Sequence, residues 1–356
     1  MKKHNFSAGP SILPRQVFEQ AAAGVLDLSG SGLSILEISH RSNAFEEILD
    51  STKQLVRSLL KLSDSYHVLF LSGGASSQFF MVPMNLLNPP ETACYIDSGA
   101  WSLKAIKEAG HFGKISVLAS SKDRQYAYIP KKYTVPDMAT YLHITSNNTI
   151  SGTQYHQWPE SKPVLVADMS SDIFSRPLDI KPFGLIYAGA QKNMGPAGTT
   201  LVIIRDDLLG RVSREIPTML NYQTHVSKNS MFNTPPVFPI YVTMLNLQWL
   251  HKQGGLEAAG RRNQEKARII YDEVDRNSMF LGLADAEDRS LMNATFVLKD
   301  SALESDFLEA CSAAGCEGVK GHRSIGGIRA SIYNAMGKES VSVLADVMKE
   351  FEQKFG

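Results

Sequence analysis

Cysteine is scarce in this chain: Cys94, Cys311 and Cys316 are the three in 356 residues. So sparse and odd a set gives no disulfide framework and points to a reducing compartment, the cytoplasm. No His or Cys cluster lies near Cys311 and Cys316 in sequence, so no metal site is expected and they are read as buried core thiols. Net charge is missing too, because 36 Lys plus Arg balance 36 Asp plus Glu. That balance argues against a nucleic-acid partner, and any anion site must be local. There is no run of about 18 apolar residues, so no membrane-spanning helix is expected. The opening residues Met1 to Ser7 lack the apolar stretch of a signal peptide. The glycines of Ser29-Gly30-Ser31-Gly32 do not continue as G-x-G-x-x-G, which excludes a dinucleotide fingerprint there. Neither an internal repeat nor a low-complexity tract occurs.

What is present is an alternation. Apolar runs at Tyr66–Leu71, Ala93–Ile96, Ile115–Ala119, Tyr141–Thr145, Val164–Ala167, Phe183–Ala188 and Thr199–Ile204 read as buried strands. The amphipathic stretch Phe45–Leu60 before the first strand and segments between strands, such as Trp101–Ala109, read as helices. The pattern predicts an α/β fold with a large, mostly parallel, doubly wound sheet flanked by helices. Residues 221–236 are polar, end in Pro-Pro, and read as an extended, exposed arm. From about residue 257 the order changes to a smaller α+β unit. The expected division is a large domain over 15–256 and a small C-terminal domain over 257–356, with residues 1–14 packed against the latter.

Ligands of doubly wound sheets bind beyond the carboxyl ends of the strands. Three such ends carry chemistry. Gly73-Gly74-Ala75-Ser76-Ser77 follows a strand and opens a helix, offering backbone N–H groups to an anion. Asp168 closes another strand. Lys192 lies on a small-residue turn between two apolar strands, where desolvation lowers an ammonium's pKa. Phosphate cradle, carboxylate and lysine are the parts that pyridoxal 5'-phosphate requires, and Trp101 is positioned to cover the ring.

The motifs NFSAGP (5–10), ISHRS (38–42), GGASSQF (73–79), ADMSSDIFSRP (167–177), YAGAQKNMGPAG (187–198), SMFNTPP (230–236) and KGHRSIGGIRASIYNAM (320–336) together resemble the phosphoserine aminotransferase family. The resemblance runs from residue 4 to the end of the chain. It implies a fold-type I, pyridoxal-phosphate-dependent homodimer. The implied reaction interconverts 3-phosphohydroxypyruvate plus glutamate with phosphoserine plus 2-oxoglutarate, in serine biosynthesis. 4-Phosphohydroxy-L-threonine, of pyridoxal phosphate biosynthesis, is a second candidate substrate. Carried over residue by residue, Lys192 is the Schiff-base lysine and Asp168 the partner of the pyridine nitrogen. Trp101 stacks on the ring and Thr149 bonds its oxygen. Gln191, Ala75 and Ser76 take the phosphate, with Asn233 and Thr234 reaching the neighbouring subunit's cofactor. Arg329 takes the substrate α-carboxylate; His40, Arg41, His322 and Arg323, with Ser7, form the distal-anion pocket. One departure stands out: some members carry arginine where this chain has Ser76, which bears on how the distal phosphate is held.

Other readings predict different residues. A cysteine desulfurase needs a mobile catalytic cysteine, and none of the three is suitably placed. An alanine–glyoxylate transaminase has no need of the His40-Arg41 and His322-Arg323 cations. A cofactor-binding protein without catalysis has no need of the intact lysine, carboxylate and aromatic set.

Overall fold

The computed structural model describes residues 2–356. In chain order the elements are β1 (His4–Asn5), α1 (Arg15–Leu26), α2 (Asn43–Leu60), β2 (Tyr66–Leu71), α3 (Gly74–Leu86), β3 (Thr92–Asp97) and α4 (Ala100–Ala109). Next come β4 (Lys114–Ser120), β5 (Leu142–Thr145), β6 (Leu165–Asp168), β7 (Phe183–Gly189), β8 (Thr200–Arg205), α5 (Tyr222–Ser227) and α6 (Val237–Lys252). The chain closes with α7 (Gly255–Arg276), β9 (Phe280–Gly282), β10 (Asn293–Leu298), α8 (Glu304–Ala313), β11 (Cys316–Glu317), β12 (Ile328–Ser331) and α9 (Lys338–Phe355).

A seven-stranded sheet in the order β2-β8-β7-β6-β5-β3-β4 forms the centre. Every residue of β5, β6 and β7 is buried. Parallel strands covered on both faces read as unbroken apolar runs, which is why these were legible in sequence. One apolar cluster covers one face, with Phe45, Ile144 and Ile186; a second covers the other, with Phe79, Tyr95 and Tyr187. Strand β8 runs antiparallel to both β2 and β7. Antiparallel neighbours need no crossover helix, so the short segment 190–199 suffices to join β7 to β8. That leaves the ends of β2, β3, β5, β6 and β7 on one edge, with Lys192 in the β7–β8 connection.

A separate apolar cluster unites Phe6, Phe280, Phe296, Phe307 and Phe351 around the three-stranded sheet β12-β10-β9. The N-terminal strand β1 pairs with β11, His4 facing Cys316, and the Phe6 carbonyl accepts from Ser331 N.

Two local expectations change. The helix after β2 begins at Gly74, not near Gln78, with Gly73 in the left-handed region at φ 99°. Ala75 and Ser76 therefore belong to the first helical turn. The arm 221–236 is not uniformly extended: Asn221 caps α5 by accepting from Gln223 N, and Tyr222 and His225 are buried. Further along the same arm, Phe232, Asn233 and Thr234 are exposed. All three cysteines are free and buried. Among the described residues no His, Cys, Asp and Glu group is arranged to hold a metal ion, and no helix is long and apolar enough to cross a membrane.

Candidate active site

The lysine turn is tight because one carbonyl gathers it. Ala190 O accepts from the amides of Lys192 (2.8 Å), Met194 (3.2 Å) and Gly195 (2.8 Å). The N-terminal segment crosses it from outside. Ser11 N donates to Gln191 O at 3.0 Å, and Ser11 Oγ donates to Lys192 O. Residue 9 has φ +149°, a conformation that favours glycine, and lies against Lys192 Cγ. Lys192 Nζ lies 5.9 Å from the centre of the Trp101 ring. Desolvation pulls the Lys192 pKa below the usual lysine value; Asp168 opposes that shift and Arg329 reinforces it.

Asp168 ends β6 and is buried. Its Oδ1 accepts from Ser170 N at 2.9 Å and from Ser170 Oγ at 2.6 Å. That leaves Oδ2 for the cavity. Burial raises the carboxyl pKa, and the Ser170 bonds and Lys192 act against the rise. Across the site, Trp101 in the first turn of α4 donates its Nε1–H to Thr149 Oγ1 at 3.1 Å. A hydroxyl that accepts there keeps its own proton free to donate. The N-terminus of α3 contributes the amides of its first turn, which have no helical partner of their own.

These groups enclose a cavity of about 320 Å³. Of the residues singled out in sequence, Ala75, Ser76, Trp101, Thr149, Asp168, Gln191, Lys192, His322 and Arg329 line it. Ser7, His40, Arg41, Arg323, Asn233 and Thr234 are not among its lining residues. Arg41, Arg323, Asn233 and Thr234 are exposed. Ser7 sits by Gly318, and His40 Nε2 is screened from solvent with no hydrogen-bond partner among the described residues. Of the residues the resemblance implies for the distal-anion pocket, His322 alone lines this cavity within the one chain. His322 has its pKa lowered by burial and then by Arg329, Arg323 and Lys104, so a local cluster of cations surrounds it.

Sequence reasoning missed Thr145, Ser170, Ala8 and Lys104. Thr145 faces Asp168 in the β5–β6 register and lines the cavity, and Lys104 Nζ sits 4.4 Å from the Trp101 ring centre. The helical step from Trp101 to Lys104 was the available signal for the last. A wider cleft of about 660 Å³ runs past Tyr133, His156 and Trp158, but its lysine, Lys131, is ion-paired to Glu287 and Asp288.

The family model for class-V aminotransferases matches residues 3–344. A phosphoserine aminotransferase of Flavobacterium psychrophilum is 56% identical, the match covering 99% of this chain and 100% of the relative. The chain belongs to the phosphoserine aminotransferase family. The family member from Bacillus circulans subsp. alkalophilus, of known structure, has 45% identity and a TM-score of 0.97, covering 100% of this chain and 99% of that one. The pyridoxal-phosphate-bound family member of Trichomonas vaginalis has 35% identity and a TM-score of 0.94, covering 98% and 100%. As a phosphoserine aminotransferase family member the chain is a pyridoxal-phosphate-dependent transaminase.

The residues present fit that cofactor. Thr145 Oγ1 and Arg329 Nε are screened from solvent, line the cavity, and have no partner among the described residues. Buried polar atoms left open in this way call for a polar ligand. The donor set is likewise apt: helix amides for a phosphate, a carboxylate for a ring nitrogen, a desolvated amine for a carbonyl carbon.

Proposed function

We propose that this chain catalyses amino transfer between O-phospho-L-serine and 2-oxoglutarate, reversibly, as the names of its full-length relatives suggest. The observation that carries the reading is the meeting of Lys192, Asp168, Trp101 and Arg329 around one cavity at the sheet's carboxyl edge. Pyridoxal phosphate, when bound, supplies an electron sink for the bond-breaking at the substrate α-carbon.

The chain's residues then have distinct tasks. Asp168 Oδ2 holds a proton on the ring nitrogen as an ionised acceptor. Trp101 covers the ring face, and its bond to Thr149 fixes both side chains. Ala75 and Ser76, in the first turn of α3, take the phosphate on backbone N–H and hydroxyl, with Gln191 beside them. Lys192 Nζ would hold the cofactor's carbonyl carbon and would serve as the base that moves a proton at the substrate α-carbon; desolvation, which lowers its pKa, favours the neutral amine for that role. Arg329 donates Nη1 to Thr149 O at 3.0 Å, which orients the guanidinium, and its Nε has no partner among the described residues, so the guanidinium has donors left for a substrate carboxylate. Burial lowers the Arg329 pKa, so a carboxylate partner relieves an unpaired buried charge.

The distal phosphate needs further cations, and Ser76 supplies none. We assign this to His322, Arg323 and Lys104 from the same chain and to His40 and Arg41 brought in by dimerisation. Asn233 and Thr234 are assigned to the phosphate of the partner's cofactor, Ser7 to the substrate entrance. The exposure of Arg41, Asn233 and Thr234 supports this division. The two separate apolar cores support a division of the chain near residue 256; within residues 1–14, Phe6 and Ile12 pack with the smaller core and Leu13 with the larger. A coupled assay of amino transfer to 2-oxoglutarate tests the reading. Phosphoserine should be preferred by orders of magnitude over serine and alanine; equal use of the three contradicts it.

A further inference from the structure

Asp168 is held by a single neighbour. Both hydrogen bonds to its Oδ1 come from Ser170, one from the amide and one from the hydroxyl. The same hydroxyl accepts from Gly189 N at 3.1 Å, and Gly189 closes β7, three residues before Lys192. A hydroxyl whose lone pair is occupied by a backbone N–H has its proton directed elsewhere, and here the nearby acceptor is the carboxylate at 2.6 Å. Ser170 is buried, so water does not substitute readily for either bond.

We propose that Ser170 is a positioning residue: it keeps the Asp168 carboxylate ionised and oriented, and ties it to the strand that delivers the Lys192 turn. This rests on the reading of Asp168 as the partner of the cofactor's ring nitrogen. The carboxylate needs the support because its surroundings are hostile to charge. It is buried, Asp172 lies close by on the same loop, and the Tyr187 ring comes up from β7. Lys192 is the compensating cation, and Asp172 is in turn held by Ser146, Gln154 and the field of Arg176. Once Lys192 is committed to chemistry as a neutral amine, the Ser170 proton is the permanent positive end facing Asp168. The Gly189 link adds register: a shift of the lysine turn against β6 would break it, so the distance between the two functional groups is built into one serine.

Ser170→Ala removes the hydroxyl and leaves the amide bond. The experiment is a pH titration of the visible absorption of the reconstituted enzyme, with the cofactor dissociation constant measured on the same samples. An Asp168 that ionises less readily would stabilise a protonated ring nitrogen less well, so the bound cofactor would be a weaker electron sink toward the Lys192 nitrogen. The proton on that nitrogen is then held to higher pH. The expected result is an upward shift of the midpoint and about tenfold weaker cofactor binding, the size of one hydrogen bond to a charged group. Ser170→Thr, which restores a hydroxyl, should return the midpoint toward wild type. Ser170→Cys, similar in size with a weaker donor, should fall between, and serves if the alanine variant does not fold. Asp168→Asn on the same axis separates the two layers. If it moves the midpoint and Ser170→Ala leaves it at the wild-type value, the role of Ser170 is overturned while that of Asp168 stands. If neither moves it, the reading of Asp168 fails and this inference with it.

Discussion

The floor of the site and its rim are built on different plans. On the floor, Asp168, Ser170, Thr149, Trp101 and Lys192 are joined to one another or to strand ends by short bonds within one chain. At the rim, His40 and Arg41 stand just ahead of Ser42, the N-cap of α2, and do not reach the cavity; Asn233, Thr234 and Arg323 are exposed. A cofactor that stays bound through every turnover suits a rigid, desolvated floor. Substrates that enter and leave carry their own charge, and if the exposed cations meet them across a subunit boundary, as proposed, binding would depend on assembly. Cofactor retention and substrate choice should therefore respond to different mutations.

The sharpest break in the floor is Lys192→Ala. Turnover should fall on the order of 10⁴-fold, and the visible absorption of the lysine-bound cofactor should vanish. Retained absorption would show that another amine does the work. Next comes Arg329→Ala, which bridges floor and rim. Loss of charge-assisted bonds to the α-carboxylate should lower kcat/KM roughly 100-fold for every amino donor, mainly through KM, with the absorption spectrum unchanged. A loss confined to phosphorylated donors would reassign Arg329 to the rim. Arg41→Ala is smaller and selective: about tenfold for phosphoserine and little for glutamate, whose distal group is a weaker anion. Equal losses on both would count against the distal role.

The mildest effect concerns the support behind Arg329. Lys266 on α7 is buried and donates to the carbonyls of Ile332 (2.8 Å) and Tyr333 (2.6 Å), directly after β12. Burial, then Arg262, lowers its pKa to about 7. Above that pH the folded chain gives up a proton that the unfolded chain keeps until its ordinary lysine pKa. Wild-type stability therefore gains up to about 1.4 kcal/mol per pH unit from this group as pH rises past 7. Lys266→Met lacks that gain, so denaturant unfolding should show the gap between wild type and variant widening with pH. A constant gap would refute a titrating Lys266.

Much of the floor was legible in sequence because each part sits at a strand end with a local signature. The buried runs of β5, β6 and β7 placed Asp168 and Lys192 on one edge. Ser170 and Thr145 were silent: a serine or threonine at a strand end looks the same whether it bonds a carboxylate, a backbone group or nothing. The start of α3 was misplaced because Gly73-Gly74 reads as a turn, yet only Gly73 lies outside the helix. The polar arm hid α5, whose Tyr222 and His225 are buried by tertiary packing that polarity alone does not forecast. For the rim, motif membership grouped His40, Arg41, His322 and Arg323 in one pocket. Which copy of the chain delivers each is a property of assembly that residue types do not encode.

Hybrid dimers test the contrast between floor and rim most directly. Lys192→Ala disables the floor and Arg41→Ala the rim; tagged variants are co-expressed and the mixed dimer purified. If Arg41 serves the partner's site, one of the two sites in the hybrid combines a wild-type floor with a wild-type rim. Phosphoserine turnover per hybrid dimer should then recover to about half the wild-type value, with wild-type KM. If Arg41 acts on its own chain's cavity, one site lacks Lys192 and the other lacks Arg41. Turnover with the raised KM of the Arg41→Ala enzyme, and no wild-type site, would contradict the account.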